Sequence, residues 1–448
     1  MDYDIIIIGA GPAGYAAAIR ASQLGMKTAL VEKERIGGMC INWGCIPTKA
    51  IIESAKNFNK AKRFKEFGID GINVSKLTFN WKKVKERAKE ISSKLSAGVL
   101  SVLKKNGVEI ITGNAFIAAD KSVVIDNRNL KAKYIVIATG SSPIGITEKF
   151  NESYIVNINK LFEMEEIPEN IVVYGKGGIA VEMAQFFKLI GKTVTLITDG
   201  EKMLPSFDAR LQTYIMKKLA DDGVNVITSG MIEKTEGNKI FINSQTVICE
   251  KIINCSFRYA ILPDTDLNID LNNWGFIKVK DNFETSIENV FAIGDVNGKS
   301  YLAHLASAQG LWVVNKIKGI KTDFKISNYP LDLYTVPEIA QIGMTEQQIV
   351  EEGIEYKISE LPLSANGKAL IEGNSEGFMR LISDKKFGQV LGVQIVAANA
   401  TDMIAEASAF MQVEGTIYDV AQAIHAHPTI SEIFTEAGFD AMNKAIAE

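Results

Sequence analysis

Short runs of apolar, β-branched residues alternate along this chain with stretches of helical periodicity, and glycines mark the joints between them. Ile5 to Ile8 reads as a buried strand that passes through Gly9-Ala10-Gly11-Pro12-Ala13-Gly14 into a segment where Ala16, Ala17, Ala18 and Ile19 favour helix. Gly25 ends that helix, and Lys27 to Val31 forms the next strand. Trp81, Val84, Ala88, Ile91, Leu95 and Val102 recur at helical spacing and predict a long amphipathic helix that Gly107 ends. Val108 to Ile111 and Tyr134 to Ala138 read as buried strands, the second leading into Thr139-Gly140-Ser141-Ser142-Pro143. Ile171 to Tyr174 and Val290 to Ile293 are further strands, and a helix runs from Leu302 until Gly319. From Phe324 onward the texture changes, with strands at Met379 to Ile382 and Val390 to Ile395 and a helix at Ala400 to Val413, which predicts a separate α+β domain.

The opening strand, glycine turn and helix have the chemistry of a dinucleotide site. Gly9 permits the turn, Gly11 lets backbone approach a pyrophosphate, and Gly14 lets helix and strand pack closely, with Pro12 and Ala13 completing the turn. Glu32 stands at the end of the second strand, where an acid accepts hydrogen bonds from ribose hydroxyls. The whole pattern then returns in register. Adding 166 carries Gly9 to Gly175, Gly11 to Gly177, Gly14 to Ala180, Gly25 to Gly191 and Glu32 to Thr198, with Gly178 and Ile179 opening the second helix. Two nucleotides are therefore expected. Thr198 is neither the acid that suits NAD ribose nor an arginine for a 2′-phosphate, so the choice between NAD and NADP is open, and Asp199 is the substitute acid.

Two of four cysteines, Cys40 and Cys45, fall within Gly37 to Lys49. Five residues apart, they could not bridge across a regular helix, and Gly44 and Pro47 supply the irregularity. A disulfide this local would add little loop-closure entropy, which leaves a redox switch or two reduced cysteines that merely pack. Composition narrows the setting: 47% apolar and 23% charged residues are ordinary for a globular chain, and a net charge of −4 argues against nucleic acid or a membrane surface as partner. The uncharged run Ile5 to Ile19 is too short for a membrane span, and Asp2 and Asp4 deny it the positive start of a signal peptide. A cytoplasmic location is expected, where a disulfide is more often catalytic than structural. Near the C-terminus, His425-Ala426-His427-Pro428-Thr429-Ile430-Ser431-Glu432 holds two of three histidines, with a carboxylate that suits a proton-transferring base; metal ligation is the alternative. Gly294-Asp295 is either a simple turn or an acid for a ribityl or phosphate-linked oxygen.

Together these residues resemble the flavin-dependent disulfide oxidoreductase family over essentially the whole chain, and most closely its dihydrolipoamide dehydrogenase branch. The most specific marks are Gly37-Gly38 through Cys40, Asn42, Gly44, Cys45, Pro47 and Lys49, then Ala138-Thr139-Gly140, Gly294-Asp295, Tyr334-Thr335 with Pro337-Glu338, and His427-Pro428-Thr429 with Glu432. The segment Leu302-Ala303-His304 is similar to the lipoamide branch, and the second C-terminal cysteine pair of mercuric reductases is not seen before Glu448. The resemblance implies an α/β chain of two Rossmann-like nucleotide-binding domains and a C-terminal α+β dimerisation domain. Its parts would be an FAD domain at 1–146, an NAD(P) domain at 147–268, a return to FAD at 269–325 and the homodimer interface domain at 326–448. FAD and NAD are the implied cofactors, and the implied substrate is dihydrolipoamide, carried on a lipoyl domain of a multienzyme complex.

By matching position, Cys40 would exchange with substrate and Cys45 would stand beside the flavin, and Lys49 and Glu182 match an ion pair near its reactive nitrogen. His427 matches the base, with Glu432 orienting it, and is implied to serve the disulfide of the other subunit. Two stretches depart from the family: Thr198, and Asn254-Cys255-Ser256-Phe257-Arg258-Tyr259, where a Gly-Arg followed by Pro-Asn is usual. Both fall in the second nucleotide unit. They leave two other readings, a reductase of another small disulfide using NADPH and a flavin-binding structural or regulatory subunit with a decayed nicotinamide site.

Overall fold

The computed structural model describes residues 1–143, 154–321 and 328–444. The strand at Tyr3–Ile8 is flanked in parallel by Thr28–Glu32 on one side and Ala132–Ile137 on the other, with Glu109–Thr112 and Val290–Ala292 outside them. These strands are nearly continuous apolar runs because both faces of the sheet are covered, one by helices and the other by the small antiparallel sheet of Ala115–Ile117, Val123–Ile125 and Arg128–Leu130. Helix Pro12–Gln23 packs on helix Ala303–Ile317 so closely that a Cβ on Gly310 would lie 2.5 Å from the Ala13 carbonyl oxygen.

The second unit repeats the order. Asn170–Tyr174 lies between Thr193–Ile197 and Lys251–Asn254, with Asn225–Ile227 and Ile155–Asn157 outside. Only the source of the fifth strand differs, coming after the unit in the first sheet and before it in the second. The third domain is an antiparallel sheet of Leu331–Leu333, Glu338–Gly343, Val390–Ala397, Phe378–Asp384 and Tyr356–Pro362, covered by helices Ala400–Gln412 and Glu432–Ala441. The fold is thus α/β with two Rossmann-like units and a C-terminal α+β domain.

Two details differ from the pattern along the chain. The expected divisions at 146 and 325 lie outside the described residues, but short strands at Arg258–Ala260 and Asp264–Thr265 already pair with Ser141–Pro143 and Ala115–Ile117 of the first domain. The chain therefore returns before residue 269, through pairings too short to carry a periodic signal. The long helix is Trp81–Lys105, capped by Asn80, yet Leu95 and Val102 are 43% and 44% exposed. Trp81, Ala88, Leu95 and Val102 form a strict seven-residue repeat, which drifts by roughly 20° per heptad on a straight helix. Ser92 and Leu103 take the buried stripe instead.

Candidate active site

The first glycine loop shows where bulk is forbidden and where space is kept. A Cβ on Gly9 would lie 2.3 Å from the Ala138 carbonyl oxygen and one on Gly14 would lie 1.8 Å from that of Gly9, whereas one on Gly11 would meet nothing within 4 Å. Helix Pro12–Gln23 begins at Gly11 without a side-chain cap, and helix Gly178–Leu189 begins at Gly177 in the same way. Asn80 and Asp208, by contrast, cap their helices by accepting backbone N–H bonds. Uncapped starts behind open glycines are suited to an anionic pyrophosphate. Glu32 closes the first loop, accepting the Ala10 N–H at 2.8 Å on Oε2 and the Glu34 N–H at 2.8 Å on Oε1. These residues fit a dinucleotide such as FAD.

Ala138, Thr139 and Gly140 run along this loop, and Asp295 faces them from the Gly294 turn. Asp295 accepts the Ser141 hydroxyl at 2.6 Å and lies 3.8 Å from Arg258 Nε; burial pushes its carboxyl up, against the opposing pull of Ser141 and Arg258. The Gly294 N–H donates to Gln309 Oε1 at 2.8 Å, a buried amide that also receives Asn297 Nδ2 at 3.0 Å. Sequence reasoning overlooked Gln309, because one glutamine on a helix carries no signal until the turn it holds is known. Leu302 and Ala303 open the Ala303–Ile317 helix, and His304 Nε2 sits 2.9 Å from the Pro330 carbonyl oxygen.

The cysteine segment is built onto the same loop. Gly37 and Gly38 have φ of +100° and +57°, and a Cβ on Gly38 would lie 2.7 Å from Gly11 Cα. Helix Gly38–Asn42 carries Cys40, Gly44 breaks the chain direction at φ −116° and ψ −112°, and Cys45 opens helix Cys45–Ala61. Pro47, expected to add irregularity, instead lies in the first helical turn, where the N–H it lacks would have no partner. Both sulfurs are free thiols, Cys40 half-buried and Cys45 exposed. The neighbouring sulfur pushes the Cys40 thiol up, and Cys40, with the Lys49 ammonium acting against burial, brings Cys45 down to about 7. A helix start favours the same thiolate.

Lys49 Nζ lies 2.7 Å from Glu182 Oε2 and 4.8 Å from the Tyr334 ring centroid. Burial opposes its charge, but the carboxylate outweighs it and holds the ammonium above its ordinary range. Glu182 is 3% exposed, comes from the second nucleotide unit and also accepts the Tyr334 N–H at 3.0 Å, so three domains meet at this pair.

His427 Nδ1 lies 2.9 Å from Glu432 Oε1, and the Thr429 N–H donates to Oε2 at 2.8 Å. The Thr429 bond first, then His427, holds the Glu432 carboxyl below the usual carboxylate range. The His427 side chain is 82% exposed and makes no hydrogen bond to the cysteine segment among the described residues. His425 is different, enclosed between Thr435 Oγ1 at 2.8 Å and Glu406 Oε1 at 2.7 Å and stacked on Phe434.

The second unit holds the remaining predicted residues. A Cβ on Gly175 would lie 2.5 Å from the Cys255 carbonyl oxygen, which places Asn254–Tyr259 against this loop as Ala138–Gly140 lies against the first. Gly177 is open, Leu333 packs on Gly178, and Ile179 is exposed. Thr198 requires correction as a ribose ligand: it is 0% exposed and donates its hydroxyl to the Gly200 carbonyl at 2.6 Å.

Comparison with known proteins agrees with this geometry. The family model for pyridine nucleotide-disulphide oxidoreductases matches residues 3–310, and the one for their dimerisation domain matches residues 329–438. A dihydrolipoyl dehydrogenase of Bacillus subtilis is 33% identical over 100% of this chain and 98% of its own, and one of Mycoplasma genitalium is 36% identical over 97% and 98%. Among solved structures, LpdA of Mycobacterium tuberculosis superposes with a TM-score of 0.88 at 23% identity, covering 97% of this chain and 99% of its own. The flavoprotein disulfide reductase RclA of Escherichia coli superposes at 0.85 and 24%, covering 96% and 98%. With its fold, its paired thiols and its end-to-end relatives in agreement, the chain belongs to the pyridine nucleotide-disulphide oxidoreductase family.

Proposed function

We propose that this chain is a dihydrolipoyl dehydrogenase, oxidising dihydrolipoamide to lipoamide and reducing NAD, with FAD as resident cofactor. The observation that carries the reading is the seating of the cysteine pair: Gly38 rests on Gly11 of the first nucleotide loop, while Lys49 is tied to Glu182 of the second unit. A dithiol relay is thereby fixed between two nucleotide sites. FAD, when bound, supplies the two-electron step between thiols and nicotinamide.

The chain's own residues handle protons and sulfur. Glu432 accepts a hydrogen bond from the Nδ1–H of His427, which leaves Nε2 free to take a proton from a substrate thiol. The resulting thiolate attacks Cys40 Sγ of the oxidised pair, the Cys40–Cys45 bond breaks, and Cys45 leaves as thiolate. The second substrate thiolate then attacks the mixed disulfide, releasing lipoamide and Cys40. Cys45 is a good leaving group because its thiolate forms beside the Lys49 ammonium and at a helix start, both of which remain while Cys40 is held in the mixed disulfide. His427 faces outward on the dimerisation domain, so we place it over the cysteine pair of a second copy. Gly9, Gly11, Gly14, Glu32, Asp295 and the Ala303 helix start would hold FAD. The substrate would arrive on a lipoyl domain of a multienzyme complex in the cytoplasm. No described helix is long and apolar enough to cross a membrane. A steady-state assay of the FAD-loaded dimer with dihydrolipoamide and NAD tests the reading, and absence of turnover refutes it.

A further inference from the structure

The two nucleotide units hold their acids by different means. In the first, the N–H of Ala10 in the glycine loop donates to Glu32 at the end of the neighbouring strand. The same 166-residue offset places Lys176 at the position of Ala10 and Thr198 at that of Glu32. Thr198 is turned inward, and the next residue, Asp199, lies with Oδ1 3.3 Å from Lys176 Nζ. The loop therefore still grips an acid, but through a side-chain ammonium and one residue later. Lys176 Nζ also lies 4.6 Å from the ring centroid of Phe257, which belongs to the other segment that departs from the family. Asp199, next to the first departure, and Phe257, within the second, thus meet at one lysine. They form a single rebuilt corner beside the second glycine loop.

We propose that Asp199, restrained by Lys176 and Phe257, is the acceptor for the adenosine ribose hydroxyls of the nicotinamide nucleotide and sets the preference for NAD over NADP. Asp199 keeps 21% of its side chain exposed although Oδ1 itself is buried on the Lys176 side, so the carboxylate is anchored through one oxygen while the rest of the side chain stays open to a ligand. Its charge disfavours a 2′-phosphate. Lys176, stacked on Phe257, is neutralised by this carboxylate and gains nothing from such a phosphate while the pair is intact. Remove the carboxylate, and the same lysine becomes a phosphate ligand.

The inference rests on the nicotinamide reading given above, and binding, not turnover, tests it. Isothermal titration of the oxidised, FAD-loaded dimer with NAD⁺ and with NADP⁺ compares wild type, Asp199→Ala and the Asp199→Ala, Lys176→Met double variant. Asp199→Ala is expected to weaken NAD⁺ about tenfold or more and to tighten NADP⁺, the loss being that of a charged hydrogen bond. The double variant is expected to lose the NADP⁺ gain. An unchanged ratio of the two dissociation constants in Asp199→Ala, or an equal loss for both nucleotides, overturns the assignment alone. A wild-type dimer that binds neither nucleotide overturns it together with the activity.

Discussion

Replacing Cys40 by alanine isolates the most specific electrostatic feature of the cysteine pair. The variant cannot form the disulfide, so Cys45 remains a single thiol that can be titrated in air. The Cys40 S–H is the largest influence lowering Cys45, followed among the lowering ones by Lys49, while burial opposes both. Without that donor the midpoint should climb from about 7 to or past the ordinary cysteine value of about 8.5, because the burial that remains is a larger influence than the Lys49 ammonium acting against it. A rise of about one unit corresponds to roughly 1.4 kcal/mol of lost thiolate stabilisation. Cys40→Ser keeps a donor in place and should titrate near the reduced wild type. The assay is the pH dependence of alkylation rate, supported in FAD-loaded protein by the thiolate-to-flavin charge-transfer absorbance. Cys249, which burial pushes up to about 12, and the fully enclosed Cys255, also pushed up by burial, will not interfere below pH 9. A Cys40→Ala midpoint at or below 7 would refute the reasoning and assign the whole effect to Lys49 and the helix. Cys45→Ser should abolish the charge-transfer band, and retention of it would exchange the two cysteines' roles.

Other consequences can be measured separately. His427→Gln should lower kcat with dihydrolipoamide by about 10² to 10⁴ while FAD content stays normal; a loss under threefold would remove His427 from proton transfer. Gly14→Ala, whose Cβ meets the Gly9 carbonyl oxygen at 1.8 Å, should unfold the first domain, whereas Gly11→Ala, in open space, should keep thermal stability and weaken FAD binding. Equal melting temperatures for the two variants would contradict this. Arg380, buried in the C-terminal sheet, pairs with Asp208 at 3.2 Å and with Glu346, and Arg380→Met should cost about 3 to 5 kcal/mol in denaturant unfolding by leaving those acids without their cation. The Arg380 bond holds the Glu346 carboxyl below its ordinary range, so its stabilisation is present above an ordinary carboxyl value of about 4.3 and fades as pH falls through the lowered folded value. The gap between variant and wild type should therefore narrow in acid, and a gap that widens there would exclude this pairing.

Features made by neighbours in sequence were legible without coordinates. A glycine turn between a strand and a helix, its return 166 residues later and two cysteines around Gly44 each depend on local backbone geometry, which residue type and spacing encode directly. The ion pair of Lys49 with Glu182 and the dyad of His427 with Glu432 were read from motif positions, and the geometry then supplied their distances. What the sequence did not carry is which distant side chains share a corner. Leu95 and Val102 kept a heptad that a straight helix rotates out of the core. Gln309 gained meaning only from the Gly294 turn it holds, and Thr198, in register with Glu32, was turned inward by a hydrogen bond to Gly200 two residues on. Lys176, Asp199 and Phe257 have no common pattern along the chain, because the contacts among them arise where two strand ends and a loop converge. Local propensity and repetition specify the elements; side-chain charge and packing across those elements decide which residue faces the nucleotide.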